Sequence, residues 1–292
     1  MPQEKPTISN TLTFQNYVVA FLDLVGQREA LRRFLHIPTA QEEVPEFIET
    51  ARQSLGKVLE LRRDFASFFN GFNARRSHEP DLSNIPLEHH EAIRAAMQTE
   101  YTMLGLSDSL VIAVPLHGND EHCKAMNSLE LMILSICALA ARAFAIGMVF
   151  RGGLDVGIAT LIDANEVYGP AFANAYQLET EVAEYPRFVV GNELLTFLET
   201  VQNQGPQTKP GEVATHNAAR CRRMIVQDTD GRQMLDFLGM EVRRALGESF
   251  SVELVRKGHD FVDSEYKKFR ASGNEKLASR YFRLLQYYLA RK

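Results

Sequence analysis

The chain has 292 residues, of which 45% are hydrophobic and 24% are charged, with 32 Lys and Arg against 37 Asp and Glu. This size and composition support one large folded domain, or one domain with an extension, and the net charge of −5 argues against a basic surface for nucleic-acid backbones. Three cysteines without a CxxC motif, and a polar N-terminus without a signal-like apolar segment, predict a reduced, cytoplasmic and soluble protein.

The first predicted element is a strand over residues 16–24, in which Asp23 ends an otherwise apolar run. An ionised carboxylate in such surroundings requires a counter-charge. Gly26 follows the strand, and residues 27–36 have a helix-forming composition, so we expect a tight turn whose backbone amides open a helix toward a phosphate. Strand–turn–helix units are common, and Gly26 is also consistent with a turn that has no ligand.

A second apolar strand carries an acid in the same way, since Asp108 precedes the run Leu110–Val114. Either aspartate alone is typical of a strand end or a turn. If the two strands are neighbours, however, their carboxylates converge and repel each other. Such a pair forms a site for hard divalent cations, which prefer oxygen ligands.

The remaining pattern alternates helices and strands without an internal repeat. The predicted helices cover residues 42–69, 88–98, 123–145 and 169–183; the strands cover 99–104, 106–116, 148–151, 154–161 and 187–190; residues 202–212 form a loop and 250–292 a helical tail. The apolar stretch from Leu129 to Phe150 is interrupted by Glu130 and Arg142, which indicates a buried helix followed by a strand and not a membrane span. The order β-α-β-β-α-β is typical of an α+β sheet with helices on one face.

Four motifs resemble, in this order, the class III nucleotidyl cyclases: Phe21-Leu22-Asp23-Leu24-Val25-Gly26, Leu106-Ser107-Asp108-Ser109, Arg151-Gly152-Gly153-Leu154-Asp155-Val156-Gly157, and Tyr168-Gly169-Pro170-Ala171-Phe172-Ala173-Asn174-Ala175-Tyr176-Gln177-Leu178-Glu179. The similarity runs from about Tyr17 to Val190. With Tyr185-Pro186-Arg187 added, the pattern is most similar to the pyrimidine nucleotide cyclases of the bacterial Pycsar anti-phage system. The joint occurrence of the four motifs is specific, whereas each alone is weak.

The resemblance implies a ferredoxin-like class III cyclase domain over residues 1–240, with a helical insertion at about 40–98 and a helical C-terminal extension over 241–292. It also implies a homodimer with active sites at its interface. Each site would convert a nucleoside triphosphate to a 3′,5′-cyclic monophosphate and pyrophosphate with two divalent cations, Mn²⁺ or Mg²⁺. The implied metal ligands are Asp23, Asp108 and the backbone carbonyl of Leu24, and the implied nucleotide-binding residues are Phe21, Val25, Gly26, Gln27, Leu104 and Glu166.

Departures from the purine cyclases concern the base and the transition state. Leu104 stands where adenylate cyclases have an adenine-contacting Lys, and Glu166 where they have an Asp. In the catalytic helix, Ala173 and Gln177 replace the transition-state Asn and Arg, and Asn174 lies one residue later. We therefore assign catalytic roles to Asp23, Asp108, Asn174 and Arg151, with Arg151 or a basic residue of a second subunit replacing the missing Arg.

These features predict a uridylate cyclase that uses UTP and makes cyclic UMP as a signal in phage defence, read by a separate cyclic-nucleotide-binding effector. No nucleic-acid or membrane partner is expected. Two alternatives remain open: a cytidylate cyclase that makes cyclic CMP, and a degenerate cyclase-homology domain that binds a nucleotide without turnover. The replacement of the transition-state Asn and Arg by Ala173 and Gln177 favours the degenerate domain, whereas the presence of both aspartates expected to bind metal favours the enzyme.

Overall fold

Strand β1 (Gln15–Leu24) is apolar along its length because both of its faces are covered. Its even-numbered side chains from Val18 to Leu24 join a large core against helices. Its odd-numbered side chains Tyr17, Val19 and Phe21 join a second, smaller core on the opposite face. The computed structural model describes residues 13–27, 32, 36–78, 86–117, 122–162, 166–247, 250 and 252–291, and all statements of structure concern these residues.

Eight strands form one mixed sheet in the described part of the chain, in the order β2-β3-β1-β4-β6-β8-β7, with β5 paired to β4. The pair β4–β6 is parallel, and the other pairs are antiparallel. The strands after β1 are β2 (Thr102–Leu106), β3 (Ser109–Pro115), β4 (Phe150–Ile162), β5 (Glu166–Tyr168), β6 (Phe188–Val190), β7 (Ile225–Gln227) and β8 (Gln233–Leu235). The protein is therefore an α+β protein, as predicted.

Nine α-helices occur among the described residues. They are α1 (Val44–His78), α2 (Leu87–Met97), α3 (Cys123–Ala145), α4 (Pro170–Gln177), α5 (Asn192–Gln204), α6 (Lys209–Arg223), α7 (Met240–Leu246), α8 (Val252–Ala271) and α9 (Glu275–Leu289). A π-helical turn, Leu178–Val182, continues α4. Helix α4 packs on the face of the smaller core, so the expectation that all helices lie on one face is wrong.

Helix α3 is the centre of the large core, and its bounds are those that the sequence predicts. It is the one described helix that is long and apolar enough to cross a membrane, but 89% of its most apolar window is buried inside the protein. Glu130 is fully buried and forms an ion pair with Arg220 of α6 at 2.9 Å. The polar interruptions of this apolar stretch are thus accommodated by contacts within the protein.

Two predicted breaks have different outcomes: the glycine pair does not interrupt its strand, whereas residues 205–208 do separate α5 from α6. Gly152 and Gly153 lie inside the continuous strand β4 and do not end it. A side chain at either position would collide with neighbouring elements, which explains why both residues are glycine. The predicted loop over 202–212 contains the start of α6, where Thr208 caps the helix by accepting a hydrogen bond from the amide of Gly211 at 3.3 Å. Pro210 lies in the first turn of α6, where proline is well tolerated.

The predicted strand over 106–116 begins later, since residues 107 and 108 form a turn between β2 and β3. Ser107 has a φ of 57°, in the left-handed region that two-residue hairpin turns use. Asp108 is therefore a turn residue and not a strand residue. Predicted helix 27–36 falls largely outside the described residues.

An ion-pair network connects the start of β6 to the β7–β8 hairpin. Arg187 is almost fully buried, pairs with Asp228 and lies 2.6 Å from Asp230 through Nη2. The hydrogen bond from Arg187 holds the pKa of Asp230 well below its ordinary value. Because this pKa is lower in the folded state, ionised Asp230 stabilises the fold above the ordinary carboxylate pKa, and this contribution is lost as the pH falls.

We expect Asp230→Asn to lower the midpoint of thermal unfolding at pH 7, and to have a smaller effect near pH 3 (about one unit below the ordinary carboxylate pKa). Thermal unfolding of both proteins at the two pH values measures this. Asp260→Asn, on the exposed face of α8, is the control, and an equal loss for Asp230→Asn at both pH values would contradict the assignment.

Candidate functional site

Asp23 lies near the end of β1, between two neighbouring strands. In the strand registers it faces Ser109 of β3 on one side and Arg151 of β4 on the other. The hydroxyl of Ser109 donates a hydrogen bond to Asp23 Oδ1 at 2.7 Å. The carboxylate is only half-buried and belongs to the same face as the smaller core. It is therefore held in place and accessible to a ligand on this face.

Asp108 lies in the β2–β3 turn, one residue before the partner of Asp23. Its backbone carbonyl accepts a hydrogen bond from the amide of Leu24 at 3.3 Å, which joins the turn to the end of β1. Arg62 of α1 supports the turn by donating to the carbonyl of Ser107 at 3.1 Å. The structure thus brings together the two acids that the sequence predicts as a pair.

A third carboxylate, Glu179, completes an acidic cluster. It is 2% exposed and lies in the π-helical turn after α4. Burial raises the pKa of Glu179, the charge of Arg151 lowers it, and the charges of Asp23 and Asp108 raise it further. Both aspartates are therefore close enough to Glu179 to interact with it. Sequence reasoning gave Glu179 no role, because its burial depends on how the π-helical turn packs on β4.

Arg151 is engaged within this cluster. Its Nε lies 2.6 Å from Glu179 Oε1, and its Nη1 donates to the carbonyl of Ala183 at 2.9 Å. These contacts fix the π-helical turn against β4. A phosphate contact by Arg151, as the sequence predicts, would have to share or replace the bond to Glu179.

Asn174 and Gln177 make their side-chain contacts away from Asp23 and Asp108. Asn174 donates to Asp155 Oδ2 at 3.3 Å, and Gln177 donates to Glu181 at 2.9 Å. Together with Asp155 they line a cavity of about 320 Å³. Asp155 is buried, which raises its pKa, and it also accepts hydrogen bonds from two backbone amides. In a single chain, Asn174 is therefore a partner of Asp155.

The predicted base-contacting residues fall at different ends of the sheet. Leu104 and Phe21 both pair with Val111, so they lie in one row on the same face as Asp23. Glu166 pairs with Ile162, eleven residues along β4 from Arg151. At about 3.3 Å per residue, this separation is about 36 Å. Within one chain, Glu166 therefore does not reach the Asp23 region.

The turn after β1 is only partly available to a phosphate. The amide of Val25 donates to the carbonyl of Val149 at 2.8 Å, so in this structure it is already used. Gly26 has a φ of 92°, which favours glycine at this position. The side chain of Gln27 is buried and accepts a hydrogen bond from Ser54 of α1 at 2.9 Å.

The donor chemistry fits hard divalent cations. Asp108 makes no side-chain hydrogen bond or ion pair with another described residue, and its charge acts on the carboxylate of Glu179. Oxygen ligands of this kind suit Mg²⁺ and Mn²⁺. Within the described ranges, however, no group of three or more His, Cys, Asp or Glu residues is arranged to hold a metal ion. A metal at this site would take its remaining ligands from backbone, water or substrate oxygens.

The packing of α4 on β4 depends on Gly153. A Cβ at this position would lie 2.2 Å from the carbonyl oxygen of Ala175 and 2.6 Å from Leu178 Cβ. We expect Gly153→Ala to lower the free energy of unfolding by about 1 to 3 kcal/mol, because α4 and Glu179 must move away from the sheet. Thermal unfolding measures this.

Gly56→Ala on α1 is the matched control, because a Cβ there meets no atom within 4 Å. We expect this control to leave stability unchanged or higher, since alanine favours a helix. An unchanged stability for Gly153→Ala would contradict the close packing.

Comparison with known proteins gives no assignment for this chain: no protein-family model matches it, and neither the curated proteins nor the solved structures contain a significant match.

Proposed function

We propose that this protein is a nucleotide cyclase that converts UTP to 3′,5′-cyclic UMP and pyrophosphate as a signal in anti-phage defence. The observation that carries the proposal is the convergence of Asp23 and Asp108 at the ends of two paired strands. Two carboxylates that repel each other contribute little to a fold, but they suit a metal-dependent phosphoryl transfer.

The sheet order supports a ferredoxin-like cyclase domain. Strand β1 lies between β3 and β4, and α4 follows β4 in the chain and covers the face that carries Asp23. This order places the two strands expected to hold the metal beside each other, and it supports the ferredoxin-like domain that the resemblance implies. The long helix α1 and the C-terminal helices α8 and α9 are additions to that plan.

In this proposal, Asp23, Asp108 and the Leu24 carbonyl bind two divalent cations, manganese or magnesium. Bound there, the cations supply the positive charge that lowers the pKa of the ribose 3′-hydroxyl and neutralises the leaving pyrophosphate. The chain's own residues position these ligands: Ser109 holds the carboxylate of Asp23, and Arg151 holds Glu179 beside it.

The proposed enzyme is a homodimer with its active sites at the interface. In such a dimer, any contact of Glu166 with a base near Asp23 comes from the second subunit, because about 36 Å of β4 separates them within one chain. Three large side chains on the elements around this face are exposed to solvent, namely Leu106, Tyr168 and Tyr176. Their burial would stabilise a dimer.

We expect specific activity to fall on dilution below the dimer dissociation constant, since association completes the site. Activity and light scattering over the same concentration range measure this. Constant activity per chain in a range where scattering shows monomers would contradict a shared site.

A degenerate cyclase-homology domain is the second candidate. The observation that favours it is that both candidate transition-state residues are engaged: Arg151 with Glu179, and Asn174 with Asp155. In an active enzyme, a basic group from elsewhere must stabilise the transferring phosphoryl group.

Incubation of the purified protein with manganese and each of the four nucleoside triphosphates, with products identified by mass, separates the candidates. We expect cyclic UMP and an equal amount of pyrophosphate from UTP. Mainly cyclic CMP would support the cytidylate cyclase. Binding of UTP without any cyclic product would support the degenerate domain.

A further inference from the structure

A cavity of about 980 Å³ adjoins the turn after β1, and no residue of the acidic cluster lines it. Its described wall consists of the turn from Leu24 to Gln27, Arg32, residues 147–149 between α3 and β4, helix α1, and the C-terminal helices α8 and α9. The insertion helix α1 and the C-terminal extension thus both contribute to this cavity. Its size suits a small molecule.

The charges on this wall are strongly unequal. Among the described residues that line the cavity, four are basic, Arg32, Lys57, Lys268 and Arg280, and one is acidic, Glu265. Glu265 forms an ion pair with Lys268 at 3.0 Å. Lys57 and Arg280 have no acidic partner among the described residues of the cavity wall, so the cavity favours an anion.

Lys57 of α1 and Arg280 of α9 are the cations that can accept a ligand. Neither forms a hydrogen bond or an ion pair with another residue that the structure describes. Burial lowers the pKa of Arg280, the neighbouring charge of Arg151 lowers it further, and the charge of Glu184 opposes these effects only in part. A bound anion would offset both of these unfavourable effects.

The rest of the wall is largely apolar and includes Met148, Phe261 and Phe269. Apolar surroundings strengthen the attraction between a cation and a bound anion, because they lower the local dielectric constant. The cations stand on different helices, so a ligand that contacts both needs several negative charges along its length. A chain of phosphates has this property, and guanidinium and ammonium groups are its usual partners.

We propose that this cavity binds a polyphosphate chain, with Lys57 and Arg280 as its cationic contacts. The ligand is either the phosphate tail of a nucleotide or a free polyphosphate. The proposal does not require turnover, so it stands or falls independently of the cyclase activity.

Titration calorimetry with inorganic tripolyphosphate, at low ionic strength and without divalent metal, tests the proposal. We expect the wild-type protein to bind, and the double variant Lys57→Gln/Arg280→Gln to bind at least about tenfold more weakly. The matched control is Arg270→Gln/Lys276→Gln, which removes the same two charge types from exposed positions of α8 and α9 and should change affinity less than about twofold.

Asp23→Asn serves as a second control and should retain tripolyphosphate binding. The proposal is overturned if the wild type does not bind, if the two double variants lose affinity equally, or if Asp23→Asn loses as much affinity as Lys57→Gln/Arg280→Gln. Thermal unfolding confirms that each variant is folded.

Competition with UTP then distinguishes the two sources of the ligand. Competitive displacement of tripolyphosphate, with a higher Kd for UTP in the Lys57→Gln/Arg280→Gln variant, identifies the nucleotide's own phosphates. Simultaneous binding of both identifies a free polyphosphate. Each outcome supports the cavity as the binding site.

Discussion

Asp23→Asn and Asp108→Asn should each reduce formation of cyclic nucleotide to below about 1% of the wild-type rate at saturating manganese. Each substitution removes one of the two carboxylates that the strand register brings together. Neutral amides bind divalent cations far more weakly than carboxylates. Rates with UTP, measured by product mass, provide the test, and a variant that retains more than a few per cent of turnover would contradict the two-metal assignment.

The same substitutions should not unfold the protein. The charges of Asp23 and Asp108 raise the pKa of buried Glu179, so each aspartate repels Glu179. Removal of one charge relieves this repulsion, so we expect the midpoint of thermal unfolding to stay level or to rise. Asp260→Asn, on the exposed face of α8, is the control and should change neither activity nor stability.

The second large effect concerns base choice. We expect kcat/KM for UTP to exceed that for ATP by at least about tenfold. Leu104 has no hydrogen-bond donor, so an adenine acceptor buried against it would stay unpaired, at a cost of about 1 to 3 kcal/mol. Pyrimidines are then favoured by exclusion. An enzyme that makes mainly cyclic AMP would contradict this prediction.

Between the pyrimidines, the variant Glu166→Gln is informative. Cytosine presents an amine at the position where uracil presents a carbonyl, so a carboxylate beside it favours CTP and an amide accommodates either base. We expect a UTP preference in the parent, with Glu166 turned away from the base, and therefore little change on substitution. Glu199→Gln, exposed on α5, is the control. A parent that makes mainly cyclic CMP would contradict the preference for UTP.

Local sequence patterns predicted the elements whose apolar pattern is continuous. Strand β1 and helix α3 fall within a residue of their predicted bounds, because an apolar run and a helical period are local properties. The two acids were expected to converge only if their strands are neighbours, and β1 and β3 are paired in the structure.

Features that depend on distant contacts were not predictable in this way. In the sequence, Gly152 and Gly153 are typical of a break between two strands. They nevertheless lie inside β4, where α4 and Leu22 pack closely against them. The role of Glu179 depends on the π-helical turn that Arg151 holds, and the position of Glu166 depends on the length of β4. Sequence spacing alone contains none of these distances.

The most direct test of the central claim is a joint measurement of bound Mn²⁺ and cyclic UMP in the same samples. Electron paramagnetic resonance counts bound Mn²⁺ in the presence of a UTP analogue that cannot cyclise, and mass analysis counts the product from UTP. Two bound Mn²⁺ ions per chain are predicted for the wild type, with loss of bound metal and product together in Asp23→Asn and Asp108→Asn. Full metal binding in both variants, or cyclic UMP formed without bound metal, would contradict the claim that these two carboxylates form a metal-dependent cyclase site.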